Sequence, residues 1–166
     1  WHELYARPLA PARPLAPATD LGTRPLRVGY LSPDFNHHAV AYFIEPVLAA
    51  HDRAHVEFFC YASVRQPDTV TERLRQLAGP AHWRDIARLD DEATAQLIRQ
   101  DRLDLLVDLA GHTAGNRLQV FARRPAPRQA TWIGYPNTTG LAAIDYRLTD
   151  AISDPPGQTD GWHCEK

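Results

Sequence analysis

A carboxylate and two imidazoles stand within five residues of one another in the run Ser32-Pro33-Asp34-Phe35-Asn36-His37-His38. The run leaves a β-prone stretch and enters a helical pattern. A carboxylate at a helix start is favoured by the macrodipole and can cap free N–H groups, which is one reading of Asp34. The same end of a helix disfavours imidazolium, so a histidine there tends to stay neutral. A neutral imidazole can accept a proton or donate a hydrogen bond to a substrate oxygen, help worth roughly 100- to 10,000-fold in rate. His37 and His38 can serve in that way or simply occupy a helix start.

Two other stretches have suitable chemistry. Gly134-Tyr135-Pro136-Asn137-Thr138-Thr139-Gly140 pairs a glycine, where backbone N–H groups can come close to a ligand, with a stiffening proline. It reads as a sugar or phosphate cradle, or as a plain turn. Gly111-His112-Thr113-Ala114-Gly115-Asn116-Arg117 is similar, and Arg117 can meet a carboxylate or phosphate. Other chemistries lack their signatures. No G-x-G-x-x-G or P-loop follows the first strand-like run, and H-E-x-x-H, C-x-x-C and G-x-S-x-G are absent. His37 and His38 are adjacent, so on a helix their side chains diverge by about 100° and make a poor metal pair. No metal site is expected. Cys60 falls mid-strand, where a thiol serves as core.

These loops need a scaffold. The 166 residues fit one domain or one lobe, and 44% hydrophobic content is enough for a core. A net charge of -2 argues against a nucleic-acid or anionic-membrane partner, and no apolar run approaches the roughly 20 residues of a membrane span. Two cysteines fit a reduced, cytoplasmic protein better than a disulfide scaffold. The chain begins with Trp1 and carries no signal peptide, which suggests an excised piece. Residues 1–25 differ from the rest. Pro8, Pro11, Pro14 and Pro17 recur every three residues, the polyproline II period, and predict an extended linker outside the sheet.

From residue 26 to residue 166 the pattern alternates. Strands are predicted at 26–31, 56–61, 81–86, 103–109, 130–133 and 145–148. Helices are predicted at 39–51, with Pro46 kinking or shortening it, after Asp68 or Thr69, after Asp90, and at 116–123. Thr69 with Glu72 fits a capping box. Such alternation implies an α/β, Rossmann-like, mostly parallel sheet with helices on both faces. Ligands of these sheets sit beyond the carboxyl ends of the strands, which selects the loops at 32–39, 110–116 and 134–140.

The run Leu26-Arg27-Val28-Gly29-Tyr30-Leu31-Ser32-Pro33-Asp34-Phe35, followed by His38, resembles the start of the catalytic region of O-linked N-acetylglucosamine transferases. So do Phe58-Phe59-Cys60-Tyr61-Ala62, Arg124-Pro125-Ala126-Pro127-Arg128-Gln129-Ala130, Trp132-Ile133-Gly134-Tyr135-Pro136, and the stretch from Asp145-Tyr146 to Thr149-Asp150. His-Ala-Val at 38–40 in place of His-Pro-Thr, and His112 where Tyr is common, suggest a bacterial relative. The resemblance implies the amino-terminal lobe of a GT-B glycosyltransferase, preceded by tetratricopeptide helices and completed by a UDP-binding carboxyl-terminal lobe. It implies inverting, metal-free transfer from UDP-N-acetylglucosamine, a substrate and not a cofactor, to Ser or Thr hydroxyls of a protein. On this resemblance His38 matches a base or orienting group and Asp34 a proton relay. Ile133, Gly134, Tyr135 and Pro136 match a loop against the sugar, and His112 and Arg117 border the cleft. His37 takes no role. The main alternative is a non-enzymatic flavodoxin-like binding or receiver module. A receiver wants paired acids after the first strand and a Lys near the last. Here Asp34 stands alone, and the sole Lys is Lys166.

Overall fold

The computed structural model describes residues 2–11, 15–17 and 22–166. Six strands form one sheet: β1 (Leu26–Ser32), β2 (Val56–Ala62), β3 (Trp83–Asp85), β4 (Leu105–Asp108), β5 (Arg128–Trp132) and β6 (Tyr146–Leu148). Their order is β3-β2-β1-β4-β5-β6, and every pairing is parallel. Four helices intervene: α1 (Ala39–Ala50), α2 (Thr69–Ala78), α3 (Asp91–Asp101) and α4 (Leu118–Ala122). The order reverses between β1 and β4, and such a switch point opens a crevice at the carboxyl edge.

Successive strand residues point to opposite faces, and both faces are covered. Val28, Tyr30, Phe58, Cys60 and Val107 pack with Ile44 and Leu48 of α1 and Leu74 of α2. Leu31, Phe59, Tyr61 and Leu106 pack with Ile98 of α3 and Phe121 of α4. Burial on both sides is why these strands read as apolar runs rather than alternating ones. Gly29 lies where the layers close: a Cβ there would sit 2.3 Å from Leu103 Cδ1.

Helix α1 runs past Pro46 to Ala50, as its apolar period predicts. Two expectations change. The capping box of α2 is built by Asp68 with Thr71, not by Thr69 with Glu72. Within residues 1–25, His2–Leu9 form short helical turns instead of extended chain. The reason is burial: Ala6 and Leu9 join the core beneath α4. Pro14 and its neighbours at 12–13, and residues 18–21, lie outside the described residues.

Candidate functional site

The loop after β1 is shaped by capture of its backbone. Ser32 Oγ accepts the Asp34 N–H at 2.9 Å, and Asp68 Oδ2, from the cap of α2, accepts the His37 N–H at 2.7 Å. His38, not Asp34, is the N-cap of α1. Its backbone is extended, and its Nδ1 accepts the Val40 N–H at 3.2 Å. A neutral ring with Nδ1 engaged as acceptor carries its proton on Nε2. Asp34 Oδ2 lies 3.8 Å from the same Nδ1, too far for a hydrogen bond. The two side chains differ in exposure, 48% for His38 and 18% for Asp34, so the ring reaches solvent while the carboxylate is recessed. Burial pushes the Asp34 carboxyl above its ordinary range, against an opposing pull from His38.

Close backbone packing links the three loops in series. A Cβ on Gly115 would lie 3.2 Å from Pro33 Cβ, which places the loop after β4 against the loop after β1. Gly111, at φ +55°, abuts Tyr135, whose Cβ would be 2.3 Å from an added methyl. Gly134 faces Leu109 O with only 1.9 Å available for a Cβ. Close packing on the backbone just after β4 therefore requires a glycine here. Asp108, fully buried at the end of β4, accepts the Ala110 N–H at 3.1 Å, the Gly111 N–H at 2.8 Å and the Thr131 hydroxyl at 2.9 Å. Burial nevertheless raises its carboxyl pKa despite those bonds. His112 Nε2 donates to Thr139 O at 2.7 Å, and its ring stands edge-on to Tyr135.

Ile133 has φ +62°, and Gly134 N donates to Trp132 O at 2.8 Å, closing a γ-turn around it. A β-branched residue in that region is a true outlier, strain of roughly 1–3 kcal/mol that the surroundings must impose. Ile133, Tyr135 and Pro136 line one cavity of about 440 Å³ with Thr131, Arg147 and Asp150. Asp34 lines a second of about 750 Å³ with Asn36, Ser63, Arg65, Asp90 and Gly115. His38 lines neither and sits in a dent with Asn36, Tyr42 and Arg73. The proposed site residues thus fall in separate recesses, joined through the 109–117 loop.

Arg117 borders the 750 Å³ cavity that Asp34 lines, but its side chain is committed to neighbours. All five of its N–H donors are spent on Asp91, Ser63, Ile86 O, Leu89 O and Thr94. The guanidinium is a strut between α3, the β3 exit and α4, with no donor left for a ligand. Sequence reasoning gave Asp108 and Glu165 no role, and read Asp68 as a start of α2 without its bond to His37. Asp68 and Asp108 carry a readable signal, an acid before a helix and an acid ending an apolar strand; Glu165 carries none. Among the described residues no group of three or more His, Cys, Asp or Glu is placed to hold a metal ion. No helix among them is long and apolar enough to cross a membrane.

A doubly wound sheet with its polar, glycine-bearing loops gathered at the carboxyl edge defines a Rossmann-like α/β lobe. The chain belongs to glycosyl transferase family 41, whose model matches residues 14–166. It is 51% identical, over 82% of its length, to a probable UDP-N-acetylglucosamine–peptide N-acetylglucosaminyltransferase SPINDLY of Oryza sativa, covering 15% of that protein. It is 37% identical over 78% of its length to the UDP-N-acetylglucosamine–peptide N-acetylglucosaminyltransferase of Caenorhabditis elegans, covering 11% of it. A solved point mutant of the O-GlcNAc transferase of Thermobaculum terrenum superposes with TM-score 0.92 and 44% identity, over all of this chain and 31% of that one. The chain therefore spans a small part of its relatives.

Proposed function

We propose that this chain is the amino-terminal lobe of an inverting GT-B glycosyltransferase that moves N-acetylglucosamine from UDP-N-acetylglucosamine to Ser or Thr hydroxyls of proteins. The observation that carries the reading is the Asp34–His38 pair at the exit of β1, with an outward Nε2–H and a recessed carboxylate. That pair supplies one donor and one acceptor at the edge where a sugar nucleotide would meet its acceptor. The Ile133–Pro136 cavity is suited to the sugar: Tyr135 and Pro136 offer apolar faces beside the polar Thr131 and Arg147, and a strained turn holds one wall. A carboxyl-terminal lobe would hold the UDP. Residues 1–25 would join residues 26–166 to tetratricopeptide helices. The reading places the protein in the cytoplasm of a bacterium, with no resident metal or cofactor. The receiver alternative is disfavoured by the family match and by the single acid after β1.

The test is transfer by the two-lobed protein. Radiolabelled N-acetylglucosamine from its UDP donor should appear on a Ser/Thr peptide in the presence of chelator. His38→Asn should lower transfer about 100-fold or more while UDP affinity is unchanged. Chelator-sensitive activity, or full activity in the variant, would refute the mechanism.

A further inference from the structure

Glu165 is a buried carboxylate, 7% exposed, that no part of the transfer scheme above uses. The backbone puts it there. Lys166 N donates to Asp145 O and Arg147 N to Lys166 O, both at 3.0 Å, so the following residue forms one more parallel rung beside β6. Once placed, Glu165 gathers both threonines of the 134–140 loop. It accepts the Thr138 hydroxyl and the Thr139 N–H, each at 2.8 Å, and also the Thr139 hydroxyl. Burial pushes its carboxyl up, but the Thr139 and Thr138 bonds outweigh that and hold it below the usual range. The carboxylate form is the one that can accept every one of these donors.

The other end of the same loop carries Tyr135 and Pro136, which line the 440 Å³ cavity. Thr139 O accepts the His112 Nε2–H, and the His112 ring meets Tyr135 at 5.4 Å between centroids. Arg147 adds a bond to Pro136 O at 3.2 Å. A continuous series of contacts therefore runs from Glu165 through Thr139 and His112 to Tyr135. We propose that Glu165 is a positioning residue: it fixes the 134–140 loop, and through Thr139 and His112 it presents Tyr135 and Pro136 to the donor sugar in one geometry. The proposal rests on the transfer reading of the site. Buried networks of this kind are costly when half satisfied and orient the groups that touch substrate when complete. A misplacement of about 1 Å at such a loop can cost roughly 100-fold in rate.

Glu165→Gln tests this in the two-lobed protein. The amide sets a donor against the Thr138 hydroxyl, which already accepts the N–H groups of Gly140 and Cys164. UDP affinity should stay within about twofold, because nucleotide binding is assigned to the other lobe. Transfer kcat/KM should fall at least about tenfold. Adding His112→Ala should not multiply the loss, since both changes cut one series of contacts. If Glu165→Gln fails to fold, Thr139→Ser and Thr139→Val replace it: Ser keeps both donors and should retain activity, Val removes one and should not. Unchanged kcat/KM, multiplicative losses, or losses that track UDP affinity and melting temperature would overturn the proposal. A wild-type protein that transfers no sugar would instead sink the transfer reading. Nitrogen-15 spectra of the His112 ring would then still decide the positioning: loss of its Nε2-protonated signature in Glu165→Gln supports the proposal, and its retention overturns it.

Discussion

The Asp34 carboxylate comes within 3.8 Å of His38 Nδ1, yet that nitrogen is turned to the Val40 N–H 3.2 Å away. One ring atom cannot accept from a helix cap and donate to a carboxylate at once. In this arrangement His38 is not held by Asp34. It offers an Nε2 proton outward, and Asp34 is the acceptor left over. On the transfer reading, the donor and the acceptor are thereby split between the two side chains.

The split separates capping from chemistry. Asn is as good a cap as most residues, so His38→Asn should leave stability within about 0.5 kcal/mol, whereas His38→Ala should lose about 1 kcal/mol. Both should lower transfer about equally, because both remove the Nε2 donor. Urea midpoints and transfer rates on the two variants check this. A His38→Asn protein that loses stability but keeps activity would reverse the assignment.

Asp34 carries a pH signature of defined sign. Its folded pKa is raised above the ordinary 3.8, chiefly by burial. The folded state then binds the proton more tightly than the unfolded one. Stability contributed by this group is highest in acid and falls as pH rises from near 3.8 through the folded value. Asp34→Asn removes that penalty. The variant should melt higher than wild type at neutral pH, with the gap closing as both are taken into acid. Equal or lower melting of the variant at pH 7 would show that the carboxylate is not held at a cost.

What was legible in the sequence had local causes. The runs at 26–31 and 103–109 announced buried strands because both faces of the sheet are covered, and the sheet rule then located the polar loops. The contacts that shape those loops span long stretches of chain. Asp68 reaches His37 across 31 residues and Glu165 reaches Thr139 across 26, with no periodic trace. Asp34 read as a cap, but Ser32 takes its N–H and His38 is the residue with extended backbone before α1. The proline spacing of the first 25 residues pointed to extended chain, and over His2–Leu9 burial of Ala6 and part of Leu9 favours helical turns instead.

Gly134 supports a stability prediction. A methyl there would meet Leu109 O at 1.9 Å and Ala110 Cα at 2.9 Å, both backbone atoms that cannot rotate away. Relief requires β5 to part from β4 just where Ile133 is already strained. Gly134→Ala should cost about 1–3 kcal/mol and shift the turn at Ile133. Denaturation of the variant reads the first effect and a loss of donor-sugar transfer the second. A variant as stable as wild type would mean the loop is less tightly seated than described.

Arg117 lines the Asp34 cavity while spending its donors as a strut, and ligand contact and strut predict opposite results. Its side chain is 12% exposed and its partner Asp91 26%, so the pair is largely withdrawn from water. Removing one member of a buried pair costs about 3–5 kcal/mol because the other charge is stranded. Arg117→Ala should lose stability on that scale, with the Ile86 and Leu89 carbonyls losing partners as well. Arg117→Lys keeps the charge but not the fork, and should fall between Ala and wild type in stability. In both variants any protein that remains folded should bind UDP and donor with unchanged KM. A raised donor KM in a fully stable Arg117→Lys protein would give this arginine a direct part in donor binding.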